Sequence, residues 1–175
     1  MKPKASKLNK AEKLVTELMD KYHNCAQCTL VAIQEISGLK DDEVAKASTG
    51  FVGGIGGTQS VCGALSGGVL ALSLKYGRDV SYLNGPPEAA LKKQAEAIVQ
   101  AARLAKWFEK EFGTTICTGL RKSHMGTELS MGVPWQNEWA NQLGMRQRCS
   151  EYAAKTARRV LAMLDDPNLS ILEDI

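Results

Sequence analysis

The sequence predicts an all-α protein, a single-domain bundle of six or seven helices around a buried, glycine-rich central helix. Three observations carry this. No charged residue falls between Lys46 and Lys75, in a chain where 23% of residues are charged. Within that span Val61 to Leu74 is apolar or small on every face, the signature of a helix buried all round. Elsewhere apolar residues recur every three or four positions, and no stretch alternates as a half-buried strand would. The 175 residues fit one domain, 1–175, with a flexible basic terminus at 1–9, an irregular insertion at 123–144 and a polar tail at 167–175.

Taken in order, Asn9 and Glu12 resemble a capping box, and Leu14, Val15, Leu18, Met19 and Tyr22 give an apolar stripe, so a helix is expected over about 10–22. Asn24 is a good N-cap for a second helix running from Cys25 to about Ser37, closed by Gly38. Asp41, Asp42 and Glu43 place negative charge at the start of a short third helix ending near Ser48. Eight of the sixteen glycines lie between Gly50 and Gly68, first as a loop and then inside the central helix, which stops at Gly77. A long helix follows from about Pro87 to Phe112, with proline in its first turn and Gly113 at its end. Ile116 to Arg121 reads as one or two further turns. The segment from Ser123 to Gly144 is the least regular and holds Trp135 and Trp139; a lid, a partner surface or a packed loop would each suit it. The last helix spans about Met145 to Asp165, with Pro167 ending it.

Inside the central helix, Gly63/Gly67 and Ala64/Gly68 are spaced four apart. Each interior glycine costs about 1 kcal/mol of helix propensity, so a compensating contact is expected. Close approach of a second helix is the first reading. A ligand or cofactor lying against Gly63 and Gly67 is the second.

Charge excludes little and points nowhere strongly. The net charge of +3 is too mild to argue for nucleic acid, and the five lysines in the first thirteen residues read as a solvated terminus. No apolar stretch follows them, so no signal peptide is expected. The uncharged run Val61–Leu74 would span ~21 Å as a helix, short of a bilayer core, so no membrane insertion is expected. A cytoplasmic location follows, and there five cysteines (Cys25, Cys28, Cys62, Cys117, Cys149) suggest redox work or metal binding more than a disulfide frame.

Several familiar motifs fail on inspection. Gly54–Ile55–Gly56 starts a dinucleotide fingerprint whose third glycine would fall on Gln59. Gly63 to Gly68 has phosphate-loop spacing, but Val69–Leu70 stands where Lys–Ser/Thr is required. Cys25–Ala26–Gln27–Cys28 is a CxxC followed by Thr29, which excludes a covalent haem site, and no strand precedes it as in a thioredoxin site. What remains is that Cys25, Cys62, Cys117 and Cys149 each fall in or near the first turn of an expected helix, where the dipole lowers a thiol's pKa. His23 and His124 read as surface or packing residues.

Asn24–Cys25–Ala26–Gln27, then Cys62–Gly63–Ala64–Leu65–Ser66–Gly67, then Cys117 and Cys149, resemble the redox-active family named C_GCAxxG_C_C for its cysteine pattern. The resemblance covers roughly residues 20–160. Val61 stands where the name has glycine, and Cys28 is an additional thiol. The resemblance implies a helical fold and a redox role for Cys25, Cys62, Cys117 and Cys149; Cys28, one helical turn beyond Cys25, can share its face and competes for the same role. The leading reading is a thiol redox protein in which Cys62 and Cys25 form the central pair and Cys117 and Cys149 a second pair or resolving thiols. Cys62, after a glycine loop able to turn N–H groups toward its sulfur, is expected to be the most reactive. A protein partner or small thiol would exchange with it, and a homodimer is compatible with the sequence. The second reading is a binding module in which Cys25, Cys62, Cys117 and Cys149 hold a metal or an iron–sulfur cluster. The third is a helical interaction protein with structural cysteines and a Trp135/Trp139 contact surface.

Overall fold

The computed structural model describes residues 5–170. Its elements are α1 (Ala5–Tyr22), α2 (Cys25–Ser37), α3 (Asp42–Ala47), α4 (Gly63–Tyr76), α5 (Pro87–Phe112), α6 (Cys117–Met125), α7 (Pro134–Gln142) and α8 (Met145–Asp165), with 3-10 turns at Ser48–Phe51 and Val80–Asn84. The all-α class stands, with eight helices rather than six or seven. Among the described residues there is no strand, only one antiparallel bridge between Val61 and Ile116.

Most helix ends follow the chain's punctuation. Asn24 caps α2 by accepting from the Gln27 N–H at 3.1 Å, and Gly38 closes it at φ 79°. Asp41 caps α3 through the Val44 N–H at 3.0 Å, and Gly113 ends α5 at φ 84°. The start of α1 differs from expectation. The helix is already formed at Ala5, because Leu8 and Ala11 extend the buried stripe of Val15 and Met19 toward the N-terminus. Asn9 is therefore mid-helix and accepts from Arg158 Nη1 at 2.9 Å instead of capping. Of the expected flexible terminus, residues 1–4 lie outside the described part. The polar tail also begins packed: Leu169 is buried, and Arg103 donates to the Pro167 and Leu169 carbonyls. Residues 171–175 lie outside the described part.

The segment 123–144, expected to be irregular, contains α7. Pro134 sits in its first turn, where its missing N–H costs nothing, and the turn signals around it masked a nine-residue helix.

Helices α2, α4 and α8 form the centre, with α1 against α2 and α8, and α5 against α4. The glycine row of α4 explains the tightest contact. A Cβ at Gly67 would overlap the Ala26 carbonyl oxygen and stand 3.2 Å from Thr29 Cβ. One at Gly63 would overlap the Cys25 sulfur. The α2 backbone thus fills the groove, as the helix-contact reading expects, and leaves no place for a cofactor on Gly63 and Gly67. The next glycine, Gly68, faces the side chains of Leu104, Thr156 and Val160 instead. Although α4 is central, it is not the most buried helix: thirteen of the 21 residues of α8 are buried against seven of 14 in α4. Amphipathic α8 receives α1, α2 and α4 on successive faces, whereas the last turns of α4 emerge toward Lys75, which donates to the Leu164 carbonyl at 2.6 Å.

Candidate functional site

Between α4 and α6 the chain is built to bring two distant cysteines side by side. Residues 53–57 all have positive φ, from 58° to 81°, so the loop after Phe51 winds with the left-handed sense that L-residues avoid. Gly54 is needed twice over: at φ 70° a Cβ there would also stand 2.6 Å from the Ser60 nitrogen and 2.9 Å from Cys117 Cβ. The loop delivers Ser60–Cys62 in extended form alongside Thr115–Cys117. The Cys62 N–H donates to the Thr115 carbonyl at 2.9 Å and the Cys117 N–H to the Ser60 carbonyl at 2.6 Å. Gln59, itself at φ 62°, clamps the chain after α6, donating to the Leu129 carbonyl and accepting from the Met131 N–H.

Cys25 is brought to the same place by the α2–α4 contact. It is the first residue of α2, and Asn24 anchors that terminus to Thr49 at 3.2 Å while Gln27 bonds the Ala45 carbonyl and Thr49. Cys149 arrives from α8. The result is a cavity of about 220 Å³ that Cys25, Cys62, Cys117 and Cys149 all line. Its wall continues with Arg121 of α6, Asn137 and Asn141 of α7, and Met145, Arg146 and Tyr152 of α8. His23 also lines it, while His124 bonds the Leu143 carbonyl elsewhere.

The structure corrects four expectations about the thiols. Cys28 is buried and faces Leu18, Tyr22 and Val31 on the α1 side, so it does not share the cavity. Cys149 is the fifth residue of α8, beyond the reach of that helix's N-terminal dipole, whereas Cys25 and Cys117 are first residues and Cys62 is the N-cap of α4. The dipole does not win. Burial pushes all four cavity thiols up: Cys117 to about 11, Cys149 to about 12, Cys62 well above its ordinary value and Cys25 upward. Finally, Cys25 is better placed than Cys62 to hold a negative charge. Backbone hydrogen bonds from Gly53, Cys25, Ala26 and Ala64 converge on its sulfur and oppose the effect of burial, and it is partly exposed. Cys62 receives such bonds only from Leu65 and Ala64, and is 5% exposed. Cys25 is also the hub: its charge would raise the pKa of Cys62, Cys117 and Cys149 alike. All five cysteines are free thiols. Among the described residues no group of three or more His, Cys, Asp or Glu is placed to hold a metal ion.

Residues 22–163 match the model of the family described as "Putative redox-active protein (C_GCAxxG_C_C)". The chain belongs to this family. Cys25, Cys62, Cys117 and Cys149, the four that the sequence pattern singles out, are the four that line the cavity, and Cys28 is not among its lining residues. A protein of Archaeoglobus fulgidus described as uncharacterized is 36% identical over 66 residues, which is 37% of this chain and 44% of that protein. The match therefore spans less than half of that relative. No solved structure matches the chain. No helix among the described residues is long and apolar enough to cross a membrane.

Sequence reasoning missed Arg121, Asn137, Asn141 and Tyr152. Two of the signals were present: Arg121 falls one helical turn after Cys117, and Asn137 and Asn141 are one turn apart, so each pair shares a helix face. The tryptophans beside them, Trp135 and Trp139, are 64% and 45% exposed and point away from the core.

Proposed function

We propose that this C_GCAxxG_C_C protein is a thiol redox protein in which Cys25 attacks and Cys62 resolves. The observation that supports this is the sorting of five cysteines into four around one cavity and one outside it. Buried cysteine used only for packing has no reason to sort that way. In the exchange, the Cys25 thiolate attacks one sulfur of a substrate disulfide, and the other sulfur leaves with the bond's electron pair and takes up a proton. The Cys62 thiol then loses its proton and attacks the Cys25 sulfur, releasing the remaining substrate sulfur as a thiol. Two electrons and two protons pass to the substrate, and Cys25 and Cys62 end as a disulfide. Cys117 and Cys149 serve as the second pair.

Because burial raises every cavity thiol, the resting site is protonated at neutral pH and reacts slowly until a substrate or partner displaces its surroundings. Backbone donors around Cys25 then favour its thiolate over the others. The test is stepwise oxidation of the reduced, metal-free protein with diamide, with disulfides mapped by mass spectrometry. Cys25–Cys62 is expected first, Cys117–Cys149 second, and Cys28 should stay reduced. Oxidation of Cys28 at the rate of the cavity thiols, or no intramolecular pairing, would refute the proposal.

The same four sulfurs favour a second reading, a Cys-ligated metal or iron–sulfur cluster, for which four thiolates are an ordinary donor set. It requires the four to draw together from their present positions. Elemental analysis with an optical spectrum on anaerobically purified protein decides it, a stoichiometric metal supporting the second reading against the first.

A further inference from the structure

The redox reading leaves Arg121 unused. Arg121 lines the cavity from α6, yet the residue is only 3% exposed. Its Nε and Nη2 are buried and have no hydrogen-bond partner. No Asp or Glu is among the residues that line the cavity. A guanidinium stays charged at any pH a folded protein meets, and a buried charge with neither counter-charge nor acceptor is strongly unfavourable. The charge of Arg121 acts on both Cys117 and Cys149, which places it beside the cavity sulfurs.

The other polar groups of the wall are suited to the same ligand. Arg146 and His23 stand at the exposed side, their Nη1 and Nε2 3.4 Å apart, and Asn137 and Asn141 add two carboxamides. Positive charge and amide donors, with no carboxylate, describe a receptor for negatively charged oxygen. A planar guanidinium matches a carboxylate or an oxyanion with two parallel hydrogen bonds. At about 220 Å³ the cavity is smaller than the ~300–1,000 Å³ of pockets that take drug-sized ligands, which restricts the guest to a small molecule.

We infer that the cavity binds a small molecule through a carboxylate or inorganic oxyanion group seated on the Arg121 guanidinium, beside the cysteine sulfurs. This names the charge of the substrate, and for that role it rests on the redox reading; the binding itself does not.

The test is calorimetric titration of the reduced protein with sulfate and with propionate at constant ionic strength. Dimethyl sulfone and propionamide are the uncharged counterparts. At least one anion should bind at a single site and the neutral molecules should not; sulfate alone points to an inorganic oxyanion, propionate alone to a carboxylate. Arg121→Met should weaken anion binding at least tenfold, and without anion it should melt higher than wild type because the unpaired charge is gone. Should Arg121→Met fail to fold, Arg121→Lys keeps the charge but not the fork and should bind more weakly than wild type. No binding of either anion to wild type, or undiminished binding in the Arg121 variants, overturns the inference. Anion binding without pairing of the cavity thiols overturns the redox reading alone. Thiol pairing without anion binding overturns this inference alone.

Discussion

Gly67→Ala isolates the contact on which the site depends. The added methyl would stand on the α2 backbone, overlapping the Ala26 carbonyl oxygen, 3.1 Å from its carbon and 3.2 Å from Thr29 Cβ. Ala26 lies in the capped first turn of α2, and backbone held there cannot step aside as a side chain can. Alanine gains about 1 kcal/mol of helix propensity over glycine, while overpacking costs ~1–3 kcal/mol. With backbone as the obstacle the cost should sit at the upper end, leaving a net loss of about 1–2 kcal/mol. For a chain of this length that lowers the melting temperature by roughly 4 °C. Gly68→Ala is the matched control. Its methyl would meet only side-chain ends, Leu104 Cδ2 at 2.9 Å, Thr156 Cγ2 at 3.0 Å and Val160 Cγ2 at 3.1 Å. Propensity and crowding should nearly cancel there, within about 1 kcal/mol. Differential scanning calorimetry on the two variants and wild type reads the difference. If Gly67→Ala melts at or above wild type, or the two variants melt together, α2 and α4 are not in backbone contact. Cys25 would then not be held at the α4 N-terminus by that contact.

Four further outcomes are expected. Stability should fall on the alkaline side: a thiol whose folded pKa is raised leaves the unfolded chain to deprotonate first, so stability is complete below about pH 8.5 and declines as pH rises toward about 11 for Cys117 and about 12 for Cys149, which urea melts from pH 7 to 11 would show. Asn24→Ala removes the α2 cap and the bond to Thr49, and should cost about 1 kcal/mol in chemical denaturation. The same variant should slow Cys25 alkylation by iodoacetamide, since the amides around its sulfur lose their anchor; an unchanged rate would separate the cap from the site. Cys28→Ser should leave the oxidation pattern of the other four thiols unaltered, measured by intact mass after diamide treatment.

The helices were legible wherever local chemistry decides them. Asn24, Gly38, Asp41 and Gly113 act at the positions their side chains or lack of one suggest, because capping is settled within a few residues. The buried, uncharged run with its glycine row was legible too, and so was the contact it makes. What was not legible depends on partners remote in sequence. The start of α1 is fixed by α8, where Lys7 pairs with Asp165 and Asn9 accepts from Arg158. Helix α7 hides among Gly132, Pro134 and two tryptophans, which read as loop. The cysteine pattern marked Cys25, Cys62, Cys117 and Cys149, but their ranking was not in it. Cys62 has the glycines before it in sequence, while it is Cys25 that receives the Gly53 amide in space. Burial, a property of the whole fold, then outweighed the helix dipole at the four cavity thiols.

The loop after Phe51 has a stereochemical consequence. Over residues 53–57 every φ is positive, the sign that D-residues adopt readily, so the chirality that suits the loop is the opposite of the one ribosomes supply. Gly56, at φ 58°, is a place where D-alanine would suit the backbone and L-alanine would be the foreign enantiomer. Semisynthesis at that position, which does not line the cavity, would therefore stiffen the approach to Cys62, and only one of the two enantiomers should do so.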